Sequence, residues 1–214
     1  MSSVIVVGNG ESRKYIDLKQ ITTPIIGCNA LHRDLCVDHL VTCDRRMLHE
    51  AVISENTLDT KIYVRPDNYH HFRKMVKDKR IQRLPELPYQ GELKQDEPRN
   101  WGSGGYAVLL AAQSDFDTAI LLGFDLHGID NRVNNIYKNS QHYLTSDKSA
   151  VDPSYWQYQI AKVFECYPNK NFIIYNHQDW VMPKNWRKDN VTQKFLSAFE
   201  LDNKYHHSII AIED

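Results

Sequence analysis

Val4, Ile5, Val6 and Val7 form an unbroken run of β-branched apolar side chains, ended at once by Gly8-Asn9-Gly10. A run without alternation suits a parallel strand buried on both faces. Gly8 and Gly10 stand where the chain must turn sharply and can use positive φ. Glu11 and Ser12 then open an expected helix over Ser12 to Leu18, with Ser12 as its N-cap. Strand, glycine turn and helix start together make a site for a phosphoryl group, because free amides and the helix dipole face the turn. The turn lacks the third glycine of a dinucleotide fingerprint and the Lys-Ser/Thr of a P-loop, so a plain strand–turn–helix connection is equally compatible.

The same punctuation recurs along the chain. Strands are expected at Pro24 to Cys28, His39 to Cys43, Lys61 to Val64, Thr118 to Leu122 and Asn171 to Tyr175, with helical patterns at Arg46 to Ser54, Tyr69 to Lys79, Tyr106 to Gln113 and Pro153 to Tyr167. Asp152 is the expected cap of the last of these, with Pro153 at its first position. An amphipathic helix from Lys188 to Leu201 and a late edge strand, Ser208 to Ile212, close the chain. Strands alternating with helices imply right-handed βαβ units, hence an α/β, Rossmann-like three-layer domain with a mostly parallel central sheet. All 214 residues fit one such domain, with a long irregular connection over 84–101 and a polar, site-covering loop over 127–149. Ligands of open α/β sheets bind beyond the carboxyl ends of the strands. That topology nominates Asn9, Asn29, Asp44 and Arg65.

Composition narrows the classes of partner. The formal charge is −1, so no global field favours nucleic acid, and the basic cluster from Arg73 to Arg80 reads first as a solvated helix face. Cys28, Cys36, Cys43 and Cys166 show no C-x-x-C spacing and, without a secretory signal, point to a reducing cytoplasmic setting. No apolar run approaches the length that spans a bilayer. His70-His71 and His206-His207 are adjacent pairs whose side chains diverge, so no metal site is expected. Asp125, after Gly123, offers a carboxylate to ribose hydroxyls, or equally satisfies nearby amides. Ser103, opening a helix with Gly104, offers a hydroxyl and free amides to an anion, or serves simply as a cap.

Taken in order, Gly8-Asn9-Gly10-Glu11-Ser12, Cys28-Asn29, Ser103-Gly104, Leu122-Gly123-Phe124-Asp125 and His142-Tyr143 resemble the bacterial family 42 sialyltransferases. They also resemble that family's wider relatives, motility-associated sugar transferases and archaeal pterin pyrophosphokinases. The resemblance implies a metal-independent, inverting transfer of an acidic sugar from a CMP-sugar, which is the donor substrate, with no separate cofactor. Asn9, Asn29, Ser103, Gly123 and Asp125 would then hold the donor, with Gly8, Gly10, Ser12, Asp44 and Gly104 around it. His127 and Tyr137 would assist the leaving phosphate. The acceptor hydroxyl would belong to a glycan or a lipid-linked sugar, and the sequence leaves room for a homo-oligomer. One departure bears on mechanism: Ser146 stands where the family has its base histidine, so either His142 or His177 would take over that role or the acceptor reaction differs, and His142 is the proposed base. A non-catalytic nucleotide-binding protein, or a Mg²⁺-dependent pyrophosphokinase, remains the alternative on this scaffold.

Overall fold

A computed structural model describes residues 2–199. Eight strands form one sheet: β1 (Ser3–Val7), β2 (Ile25–Cys28), β3 (His39–Val41), β4 (Lys61–Val64), β5 (Ile81–Arg83), β6 (Thr118–Leu122), β7 (Asn171–Asn176) and β8 (Val191–Phe195). The α-helices α1 (Arg45–Ile53), α2 (Pro66–Val76), α3 (Ser103–Gln113) and α4 (Ser154–Cys166) accompany them. The strand order is β5-β4-β3-β2-β1-β6-β7-β8, and every neighbouring pair is parallel. The expected sheet is therefore parallel throughout.

The β1 run explains the layering. Val4 and Val6 face the side covered by α3 and α4, where Val108, Ile160, Phe164 and Trp186 are buried. Ile5 and Val7 face the other side, with Leu48 and Ala51 of α1 and Phe72 of α2. A strand covered on both faces has no use for alternation, so the sequence shows none. The chain runs outward from β1 to β5, then α3 carries it back over one face to place β6 on the other side of β1. The order thus reverses between β1 and β6, and this switch point opens a crevice at the carboxyl ends of the strands.

Three expectations are corrected. The helix over Ser12 to Leu18 is instead two short 3-10 turns, Glu11–Tyr15 and Leu18–Gln20. Gly10 rather than Ser12 precedes the first of them. The helix over Lys188 to Leu201 is replaced in its first half by β8, which pairs with β7 through Ile174↔Gln193. Val191, Gln193 and Phe195 alternate with Thr192 and Lys194, and a ladder to a preformed neighbour outweighs weak local helical preference. Helical backbone resumes only over 196–199. The third correction is β5, which was not expected.

The connection 84–101 is ordered onto the body rather than over the crevice. Leu84 and Trp101 are buried in the core, and buried Asp96 accepts hydrogen bonds from the Leu93 amide (2.9 Å) and the Tyr158 hydroxyl (2.8 Å). The edge strand expected at Ser208 to Ile212, and His206-His207, lie outside the described residues. Among the described residues no helix is long and apolar enough to cross a membrane.

Candidate active site

The carboxyl edge at the β1/β6 switch point holds a cavity of about 470 Å³, reached by Asn9, Asn29, Asp44, Ser103, His127 and His142 together. Gly8, Gly10, Gly104, Gly123 and Asp125 also line it. Residues from six separate segments of the sequence thus converge. Ser12 and Tyr137 are placed elsewhere, as is Arg65, which bonds the Arg99 carbonyl and pairs with Asp67 (3.2 Å).

The glycine turn is built differently from the expected phosphate cradle. The Gly8 amide donates to the Leu122 carbonyl (2.8 Å), Gly10 to Gly123 (2.9 Å), Glu11 to Asn134 Oδ1 (2.9 Å) and Ser12 to Asp125 Oδ2 (2.9 Å). Four amides that would have faced an anion are already engaged. Their partners come from the end of β6 and from the polar loop, neither of which is visible in the local motif. Gly123 takes φ +69°, and a Cβ there would meet the Gly8 carbonyl oxygen at 2.9 Å. The two strands therefore leave the sheet in backbone contact, which is why both positions are glycine. Asp125 lies beneath the turn, buried, with the Ser12 amide and hydroxyl on its two oxygens. Arg13, also buried, donates from Nε to the Gly8 carbonyl (2.8 Å) and from its guanidinium to the Tyr137 hydroxyl (2.9 Å). Tyr137 in turn donates to Asp34 Oδ2 (2.6 Å). Its hydroxyl is thereby used on both sides, behind the turn and away from the cavity.

The anion-binding potential lies instead at α3. Gly102 precedes this helix and no side chain caps it; the Tyr106 amide is the first to bond back, to the Gly102 carbonyl (3.1 Å). The amides of Ser103, Gly104 and Gly105 precede that first bond and point along the helix axis, and these residues line the cavity. The Ser103 hydroxyl does not cap them. It donates to Asn29 Oδ1 (2.8 Å) and accepts from the Cys43 amide (2.9 Å). That bond orients the Asn29 amide, whose backbone is left-handed at φ 50°. Asp44 caps α1, accepting from the Arg46 amide (2.8 Å). Burial alone would raise its carboxyl, but bonds from Arg46 hold it below the usual carboxylate range.

Four side chains remain to be placed. Asn9 Nδ2 donates to the Tyr143 hydroxyl (3.2 Å), while Asn9 Oδ1 is buried with no hydrogen-bond partner among the described residues. A buried orphan acceptor on a cavity wall costs free energy until something donates to it. Tyr143 accepts from Asn9 and from the Ala30 amide, and burial pushes its hydroxyl up to about 12. Its proton is therefore retained and available to an oxygen in the cavity. His127 Nδ1 lies 2.9 Å from the Asp125 carbonyl, which can only accept, so Nδ1 carries the proton and Nε2 is left for other chemistry. His142 sits at φ 70°, a costly backbone for a non-glycine residue, with Nε2 3.9 Å from Glu50 Oε2.

A clamp holds that loop. Arg33 makes a two-pronged pair with Glu50 (2.5 and 2.7 Å), and reaches the Ser140 hydroxyl (2.8 Å) and the Gln141 carbonyl (3.0 Å). Its guanidinium also covers the rings of Tyr137 and Tyr143. Glu50 lies well below its ordinary value because of Arg33. Ser146, which the resemblance would put in the place of the base, is exposed, and its amide bonds to Asn139 Oδ1 (2.8 Å); it does not line the cavity. The sequence reading gave no part to Arg13, Arg33 or Glu50, and it named Tyr143 in the His142-Tyr143 motif without a role of its own. Only Tyr143 carried a signal, its adjacency to His142.

No protein-family model matches the sequence, and no curated protein matches it. A search of solved structures finds the monofunctional alpha-2,3-sialyltransferase Cst-I of Campylobacter jejuni. The likeness spans 98% of this chain and 96% of that one, at 14% identity and a TM-score of 0.57. At that identity the likeness is one of fold: an α/β sheet with helices on both faces.

Proposed function

We propose that the chain is a glycosyltransferase that moves an acidic, sialic acid-like sugar from a CMP-activated donor to an acceptor hydroxyl, with inversion and without a metal. The reading rests on one observation: Asn9, Asn29, the uncapped α3 terminus, His127, His142 and Tyr143 share one cavity at the switch point. An anion on the donor, its sugar carboxylate, takes the amides of Ser103 to Gly105. Asn9 Oδ1 accepts from a donor hydroxyl or amino group, and Asn29 holds the donor from the opposite wall. Tyr143, rather than the expected Tyr137, donates to the departing phosphate oxygen, joined by His127 Nε2 when protonated. His142 takes the proton of the attacking hydroxyl, and base catalysis of this kind adds about 10²–10⁴-fold. The fold of Cst-I supports the class of reaction.

The Mg²⁺-dependent alternative is disfavoured by the donor set. The two carboxylates on the cavity wall are engaged, Asp44 by Arg46 and Asp125 by Ser12, and neither is free to hold a metal on a diphosphate. A thermal-shift screen of CMP, UMP, AMP and ATP tests the reading. Stabilisation by CMP that exceeds the others is expected, in magnitude set by RT ln(1 + [L]/Kd); a preference for ATP that needs Mg²⁺ would favour the pyrophosphokinase.

A further inference from the structure

The cavity has a second, chemically different wall. Leu126, Val133, Leu144, Val151, Pro153 and Trp156 line it, and the Trp156 indole N–H is the one side-chain hydrogen-bonding group among them. Three of these are exposed to an extent unusual for their type: Leu144 at 48%, Val151 at 54% and Trp156 at 37%. Apolar side chains at a cavity mouth hold water at a free-energy cost that an apolar ligand removes. Trp156 is fixed there by its neighbour, since a Cβ on Gly102 would meet its Nε1 at 3.1 Å and Cδ1 at 3.2 Å. The indole edge thus packs on the residue that precedes α3, beside the free amides, and the ring is partly open to the cavity. Leu144 belongs to the same turn as His142, two residues on, and its carbonyl accepts from the Asn139 amide (3.0 Å). The apolar wall therefore adjoins both the anion site and the histidine that takes the acceptor's proton.

We infer that this wall is the aglycone subsite of the acceptor, so the acceptor is a sugar carrying an apolar alkyl or aryl group, not a free sugar. The inference deepens the glycosyltransferase reading and rests on it. With the reacting hydroxyl at His142, the next part of the acceptor lies over Leu144, and its apolar group over Val151 and Trp156. A free sugar would leave those three side chains wet and offer its many polar edges to a wall whose one side-chain hydrogen-bonding group is the Trp156 indole N–H. Burial of a hexyl chain and loss of the exposed indole each correspond to roughly tenfold or more in affinity.

Calorimetric titration of methyl and hexyl glycosides of glucose, galactose and N-acetylglucosamine into the CMP-saturated protein, with hexyl concentrations kept below micelle formation, tests it. The hexyl form of at least one sugar is expected to bind at least about tenfold tighter than its methyl form. Trp156→Ala should abolish that advantage, and Val151→Ser, on an exposed position that folding does not need, should reduce it. Equal affinity of methyl and hexyl forms, absence of binding by both, or an advantage that survives both substitutions would overturn the subsite. Thermal shift by CMP reports separately: in the unsubstituted protein an intact CMP shift with no hexyl advantage fails the subsite alone, absence of any CMP shift fails the transferase reading, and the CMP shift should persist in both variants.

Discussion

At the scale of single residues, His142 combines a chemical role with a backbone cost. A left-handed conformation is tolerated best by glycine and asparagine, and costs other residues about 1 kcal/mol or more. At φ 70° the residue is held at the cavity wall by a turn that Arg33 grips from both Ser140 and Gln141. His142→Asn and His142→Ala should both abolish transfer while sparing CMP binding. The asparagine variant should melt at or above the wild-type temperature, because asparagine suits the turn better than histidine. Turnover by either variant within a few-fold of wild type would remove His142 as the base. Tyr143 and Tyr137 make the complementary point. They stack at 5.5 Å, yet one hydroxyl keeps a proton for the cavity and the other is consumed by Arg13 and Asp34.

At the scale of elements, the loop 127–149 behaves as part of the frame. Asn134 takes the Glu11 amide, the Ile136 amide bonds the Asn9 carbonyl (2.9 Å), and Lys138 pairs with Glu11 (2.5 Å). On the far side Arg33 holds Ser140 and Gln141. Arg33→Ala should free the second of these anchors without touching the first. Amide exchange over 140–144 is then expected to quicken by about an order of magnitude or more, and exchange over 134–138 to change little. If both halves loosen equally, the clamp is not a separate anchor. The loss also leaves Glu50 without its strongest partner, so a modest fall in melting temperature accompanies it.

At the scale of the whole molecule, stability should depend on pH in two windows. Burial, aided by Lys61, lowers the His39 imidazole from its ordinary 6.5, so the unfolded chain takes up this proton first as pH falls. Stability is thus intact above about 6.5 and declines below it, through the lowered folded value. Glu50 and Asp78, held down by bonds from Arg33 and Arg80, start from 4.5 and 3.8. Their contribution is present above those values and is lost as pH falls through the lower folded ones. Urea unfolding measured from pH 8 to 3 should show a gentle limb beginning near pH 6.5, followed by a steeper one below about 4.5. His39→Gln should flatten the upper limb; an unchanged limb would assign it to another group.

The sequence by itself determined the layered α/β plan, because burial on both faces leaves an apolar run and a following glycine that local reading can find. It also determined the neighbourhood of the site, since the residue just past each strand lies on the same edge in any parallel sheet. Tertiary structure alone decided how each candidate is used. Ser12 and Asp125 are spent on each other, Tyr137 is drawn behind the turn by Arg13 and Asp34, and Val191 to Phe195 becomes strand in place of helix. The common reason is that hydrogen bonds and ladders between segments outside any local window, from the β7–β8 ladder to the bond of Ser12 with Asp125, are set by the sheet's order. No spacing within a local window encodes that order.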